Sequence, residues 1–155
     1  INKPYDLIVN LQGDLVVFNG DLFSKTISLF SDSSVDIGSA VCELNDNEIK
    51  DKNIVKAKVS LNKDNVGMAE DFRREIKIKK NFYHHIGMYI YRPNVLEQFV
   101  NLEQTKKEKE RKLEQMRALE NKLNIKLVKI SYLPPSVDTD KDLKRIRLLF
   151  KKNNL

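Results

Sequence analysis

Val55, Ala57, Val59 and Leu61 alternate with Lys56, Lys58 and Ser60. A period of two is satisfied only by an extended strand with one buried face, and that face must be covered by another layer. Helix-period segments elsewhere supply the cover. Leu22, Phe23, Ile27, Leu29 and Phe30 fit one helix, and Pro93 opens another, a residue suited to a first helical position because its missing N–H has no partner there anyway. From Lys106 to Lys122 the stripe Leu113, Met116, Leu119 and Leu123 predicts a single amphipathic helix with Lys, Arg and Glu over the rest. Thr139 with Asp142 three residues on reads as a capping box that starts a last helix through Phe150.

Between these lie further strands: a buried one at Tyr5 to Leu11, then Asp36 to Leu44, His85 to Tyr91 and Ile125 to Tyr132, while Asn62 to Lys80 has little periodicity and reads as an irregular excursion. Strands alternating with helices give an α/β fold, a sheet with helices on both faces. At 155 residues, with neither repeats nor a Gly/Ser-rich linker, one domain is expected. The chain opens at Ile1 without Met and enters the apolar run Leu7-Ile8-Val9 directly, so a coding start further upstream is expected.

The lone Cys42 excludes an intramolecular disulfide and suits a reducing cytoplasm, where an apolar-flanked thiol serves as a small buried hydrophobe. No run approaches a membrane-spanning length, and no signal-like segment opens the chain, so no membrane partner is expected. A formal net charge of +6 favours anionic partners. Much of it lies in Lys106 to Lys112 and Lys144 to Lys152, interleaved with Glu or with apolar residues, as on a solvated helix face rather than a nucleic-acid patch.

In open α/β sheets ligands gather beyond the carboxyl ends of strands. Asp14 follows the first strand through Gln12-Gly13, and Asp138 follows Ile125 to Tyr132 just ahead of a helix N-terminus. Two such carboxylates suit magnesium, which takes hard oxygen ligands together with substrate phosphates. The alternative is that Asp14 shapes a turn and Asp138 helps cap the helix. His84 and His85 are neighbours on a strand and point to opposite faces, so they do not chelate one ion. Zinc spacings, a nucleophile elbow and a phosphate-loop lysine are absent.

Several blocks then resemble one family, in its order. They are Val9-Asn10-Leu11-Gln12-Gly13-Asp14, Asp36-Ile37-Gly38-Ser39-Ala40, Asn53-Ile54-Val55-Lys56, His85-Ile86-Gly87-Met88-Tyr89-Ile90-Tyr91-Arg92, Leu113-Glu114-Gln115-Met116-Arg117-Ala118-Leu119-Glu120 and Ser136-Val137-Asp138-Thr139 with Asp142-Leu143. Together they are similar to the 3-deoxy-manno-octulosonate cytidylyltransferase (CMP-Kdo synthetase) family. That resemblance implies a Rossmann-like fold of the nucleotide-diphospho-sugar transferase type, of which residues 1–155 would be the C-terminal portion, without the first nucleotide-binding strand and loop. It implies a cytoplasmic, magnesium-dependent nucleotidyltransferase, a homodimer in the family's manner, joining CMP from CTP to the sugar acid Kdo for lipopolysaccharide synthesis. A chain lacking the CTP-gripping loop is expected to be inactive alone.

By the same resemblance Asp14 and Asp138 would be the metal-binding catalytic pair, and Gln12, Arg74, His85, Tyr89, Glu114 and Gln115 would bind substrate. Arg73 stands as the alternative to Arg74 for the sugar carboxylate, because Ala69 to Ile76 follows the family pattern only loosely. Leu15-Val16 replaces the family's usual acidic residue and proline. The competing readings are a CMP-sialic acid type of nucleotidyltransferase and a noncatalytic basic binding module, which salt-sensitive oligonucleotide retention would reveal.

Overall fold

The structure, a computed structural model, describes residues 5–16, 20–137 and 139–152. Six strands form one mixed sheet: β1 (Ile8–Leu11), β2 (Ile37–Cys42), β3 (Lys56–Val59), β4 (Val66–Arg73), β5 (Phe82–Tyr91) and β6 (Ile125–Lys129), in the order β1-β5-β2-β6-β4-β3. β2 runs parallel to β6, and the other described pairings are antiparallel. The start of β5 also pairs with β3, so the sheet curls back on itself.

Helices α1 (Gly20–Ser28), α2 (Pro93–Asn101), α3 (Lys106–Arg111), α4 (Gln115–Glu120) and α5 (Asp140–Lys152), with short 3-10 turns at Leu29–Ser31 and Asp46–Glu48, complete the described fold. Every residue of β2 is buried, as its near-continuous apolar run requires of a strand covered on both faces. Ile37 and Val41 join a core with Val95 of α2 and Met116 of α4, whereas Ala40 and Cys42 join a second core with Leu22 of α1. The expected two-faced cover is therefore present. Burial also pushes the Cys42 thiol up to about 12, which keeps it protonated and unreactive.

Four sequence-based expectations change. The 62–80 stretch holds β4, whose ladders to β3 and β6 are made by backbone groups and need no side-chain period. The first strand is half-buried rather than buried: β1 ends the sheet order, and Val9 is 42% exposed. The single helix over 106–122 is two, separated at Lys112, which is left-handed (φ 54°). The stripe survives the break, with Leu113, Met116 and Leu123 all in the core.

The fourth change concerns charge. Glu108, expected on a solvated face, is buried as the third helical residue in a capping box with Thr105, and Arg117 holds it through Nε at 2.8 Å and Nη2 at 2.5 Å. Lys56, on the polar side of the alternating strand, is fully buried as well. The capping box at Thr139 and Asp142 forms as expected, with Asp142 N–H donating to Thr139 Oγ1 at 3.3 Å and Thr139 N–H to Asp142 Oδ2 at 3.1 Å. Among the described residues no helix is long and apolar enough to cross a membrane.

Candidate active site

Gln12 follows β1 and donates its N–H to Gly87 O on β5 at 3.4 Å. Beyond it the chain zips to the segment after β6. Leu15 bridges Ser136, Val16 N–H reaches Pro135 O at 3.2 Å, and Val137 N–H reaches Asp14 O at 3.0 Å. The ends of two strands distant in sequence thus form one wall. Asp138 itself lies outside the described residues.

That wall borders a cleft of about 830 Å³. Gln12 and Asp14 enter it from the β1 loop, Arg74 from the end of β4, His85 and Tyr89 from β5, and Glu114 and Gln115 from the start of α4. The break at Lys112 lets Glu114 and Gln115 face the cleft while Leu113 and Met116 stay in the core. Arg73 is elsewhere: its Nε pairs with Asp71 Oδ2 at 2.6 Å, beside Arg111, in a separate depression. Of the two arginines, only Arg74 lines the cleft.

Gly87 leaves room for Gln12 at the centre. A Cβ there would sit 1.9 Å from Gln12 Oε1, so the Gln12 side chain occupies the space a larger residue would take. Gly87 also falls where the register between β5 and β2 shifts, between Ser39 and Ala40.

His85 is 6% exposed, and burial lowers its pKa to about 3, so the ring is neutral. Its tautomer follows from Ser39. The Ser39 hydroxyl donates to Met88 O at 2.7 Å, so its oxygen accepts from His85 Nε2–H at 3.0 Å, leaving Nδ1 as a lone-pair acceptor. Burial raises the Tyr89 pKa and keeps the phenol protonated, and Gln115 Nε2 donates to its oxygen. Two buried atoms among the described residues have no protein partner, Asp14 Oδ1 and Gln115 Oε1.

Other cleft residues escaped the sequence reading. Glu48 accepts from Asn45 N–H at 2.8 Å and lies 3.2 Å from His84 Nδ1. The Asn45-x-x-Glu48 spacing was a capping-box signal that located Glu48, though not its histidine. Both His84 and His85 line the cleft, but they are tied to different partners, Glu48 and Ser39. Behind them Ser39, fully buried, stood in the Asp36 to Ala40 block, but its contact with His85 exists only across β2 and β5.

A family model described as cytidylyltransferase matches residues 1–129. The chain belongs to the cytidylyltransferase family. It is 40% identical over 152 residues to the 3-deoxy-manno-octulosonate cytidylyltransferase of Paramagnetospirillum magneticum, covering 95% of this chain and 61% of that protein. To the enzyme of the same name from Rickettsia rickettsii it is 35% identical over 146 residues, covering 93% and 59%. Thus the chain spans about six-tenths of the length of the curated relatives it matches.

A solved structure of CMP:2-keto-3-deoxy-manno-octonic acid synthetase complexed with CTP matches the fold with a TM-score of 0.82 at 25% identity, over 96% of this chain and 63% of that one. Apo UDP-glucose pyrophosphorylase matches with a TM-score of 0.67 at 15% identity, over 97% and 56%, which is a likeness of fold alone. The expected nucleotidyltransferase fold is therefore the observed one.

Proposed function

We propose that the chain acts in the transfer of CMP from CTP to the sugar acid Kdo, with release of pyrophosphate, as a cytoplasmic step toward lipopolysaccharide. The observation that carries this reading is the convergence of Gln12, Asp14, Arg74, His85, Tyr89, Glu114 and Gln115 on one cleft in a chain of this family. A polyhydroxylated acid needs several neutral donors and acceptors plus a cation, and this set provides them. In the reaction the anomeric hydroxyl oxygen of Kdo attacks the α-phosphorus of CTP. The new O–P bond forms as the bond from that phosphorus to the β-phosphate's bridging oxygen breaks, and the hydroxyl proton is released.

The protein's share is to bind and orient. Neutral His85 accepts a sugar hydroxyl at Nδ1, and Gln115 Oε1, buried and unpartnered, accepts another. Gln12, seated over Gly87, offers an amide, and Arg74 meets the carboxylate. Magnesium fits this donor set, since Asp14 keeps a buried carboxylate oxygen without a protein partner. Asp14 would hold the ion together with Asp138, and the bound ion would supply charge neutralisation at the α-phosphate.

The test is calorimetric titration of the chain with Kdo and with a sialic acid in magnesium buffer. Kdo binding that is reduced at least tenfold in Gln115→Ala and unmatched by the sialic acid supports the reading. Preferential binding of the sialic acid, or no binding of either sugar, refutes it.

A further inference from the structure

Lys56 interrupts the one-face pattern of β3. Its side chain lies wholly out of solvent, and its Nζ donates to Asp51 O at 2.5 Å and to Arg74 O at 2.6 Å. Desolvation lowers its pKa, the expected penalty on a buried ammonium. Among the described residues no carboxylate pairs with it directly; its hydrogen-bond partners are the two carbonyls. A methionine would fill similar volume without that penalty. What the ammonium adds is two charge-assisted donors reaching separate stretches of chain.

Both of those stretches line the cleft. The connection continues through Arg74, whose guanidinium donates to Lys52 O at 2.9 Å, to Asn53 O at 3.5 Å and to Lys112 O at 3.5 Å. Lys112 is the left-handed residue at the break before Glu114 and Gln115. One rim of the cleft is therefore linked from β3 through the 51–53 loop and Arg74 to the start of α4. Lys56 stands at the root of that linkage, behind the wall and out of reach of any ligand in the cleft.

We propose that Lys56 is a positioning residue that, by gripping the Asp51 and Arg74 carbonyls, aims the Arg74 guanidinium at the carboxylate of the bound sugar acid. The inference rests on reading the cleft as a sugar-acid site. Loss of Lys56 frees the backbone beneath Arg74, so the penalty falls on carboxylate recognition and leaves hydroxyl recognition by His85, Tyr89 and Gln115 largely intact.

The experiment is calorimetry on wild type, Lys56→Met, Arg74→Gln and the double variant, each titrated with Kdo and with Kdo methyl ester, whose carboxylate charge is masked. Thermal unfolding checks that each variant is folded. Lys56→Met is expected to weaken Kdo binding about tenfold and ester binding by less than about threefold. The double variant is expected to bind Kdo no more weakly than Arg74→Gln alone, because residues acting through one group are not additive. Equal losses for acid and ester, or additive losses in the double variant, overturn the proposal while leaving the sugar-acid reading in place. Wild type that binds neither form removes that reading and the role of Lys56 with it. Should Lys56→Met fail to fold, Lys56→Gln, which keeps a donor, must give the same acid-selective loss. Failure of both to fold assigns Lys56 a purely structural role and overturns the proposal.

Discussion

Acidification singles out His85. Burial holds its folded pKa at about 3, against 6.5 for an unperturbed imidazole. The sign follows from linkage: below about pH 6.5 the unfolded chain takes up a proton that the folded ring refuses, so stability falls as pH drops from about 6.5 toward 3 and is unaffected by this group above that window. One differential proton is worth about 1.4 kcal/mol per pH unit, so the step from pH 6 to pH 4.5 removes about 2 kcal/mol. Carboxylates titrate in the same range, and a variant must subtract them. His85→Phe suits this purpose because it keeps a ring against Phe72 and Tyr89, now at 5.2 and 5.4 Å, and Ser39 retains Met88 O as its acceptor. Urea unfolding of both proteins at pH 7, 6, 5 and 4.5 should show wild type losing about 2 kcal/mol more than His85→Phe between pH 6 and 4.5. Parallel pH dependences would refute the neutral, desolvated histidine, and with it the acceptor assigned to Nδ1.

Three other perturbations test separate parts of the structure. Arg117→Leu removes the cation paired with the Glu108 carboxylate, whose side chain is only 4% exposed, and should cost about 3 kcal/mol in urea unfolding; a loss under about 1 kcal/mol contradicts the buried pair. Gly87→Ala places a Cβ on the end of a movable Gln12 side chain, so stability should change by less than about 1 kcal/mol, while Kdo affinity drops about fivefold, the worth of one neutral hydrogen bond; wild-type affinity by calorimetry would exclude Gln12 from the site. Lys112→Gly relieves a left-handed residue while keeping the carbonyl that accepts from Arg74, and should stabilise by about 0.5–1 kcal/mol, read as a rise in Tm.

How much of this molecule was legible in its residues divides along the range of the forces involved. Alternation at Val55 to Leu61, the apolar run of β2, Pro93 and the Thr139–Asp142 cap are local properties, and the elements they specify are present. The ordered blocks around Gln12-Gly13-Asp14, His85-Ile86-Gly87 and Leu113-Glu114-Gln115 pointed to the family that the chain joins, and their side chains meet in one cleft. β4 was missed because strand pairing is made by the backbone, to partners that no local period names. Only the packed structure separates Arg74 from Arg73, since a carboxylate at Asp71 engages one of two adjacent guanidinium groups. The same holds for charge. Lys56 and Glu108 look like solvated residues in a one-dimensional pattern, and both are buried with partners from outside their own strand or helix that satisfy them. A residue's period sets which way it points along its own element; what waits there to meet it is decided by the rest of the chain.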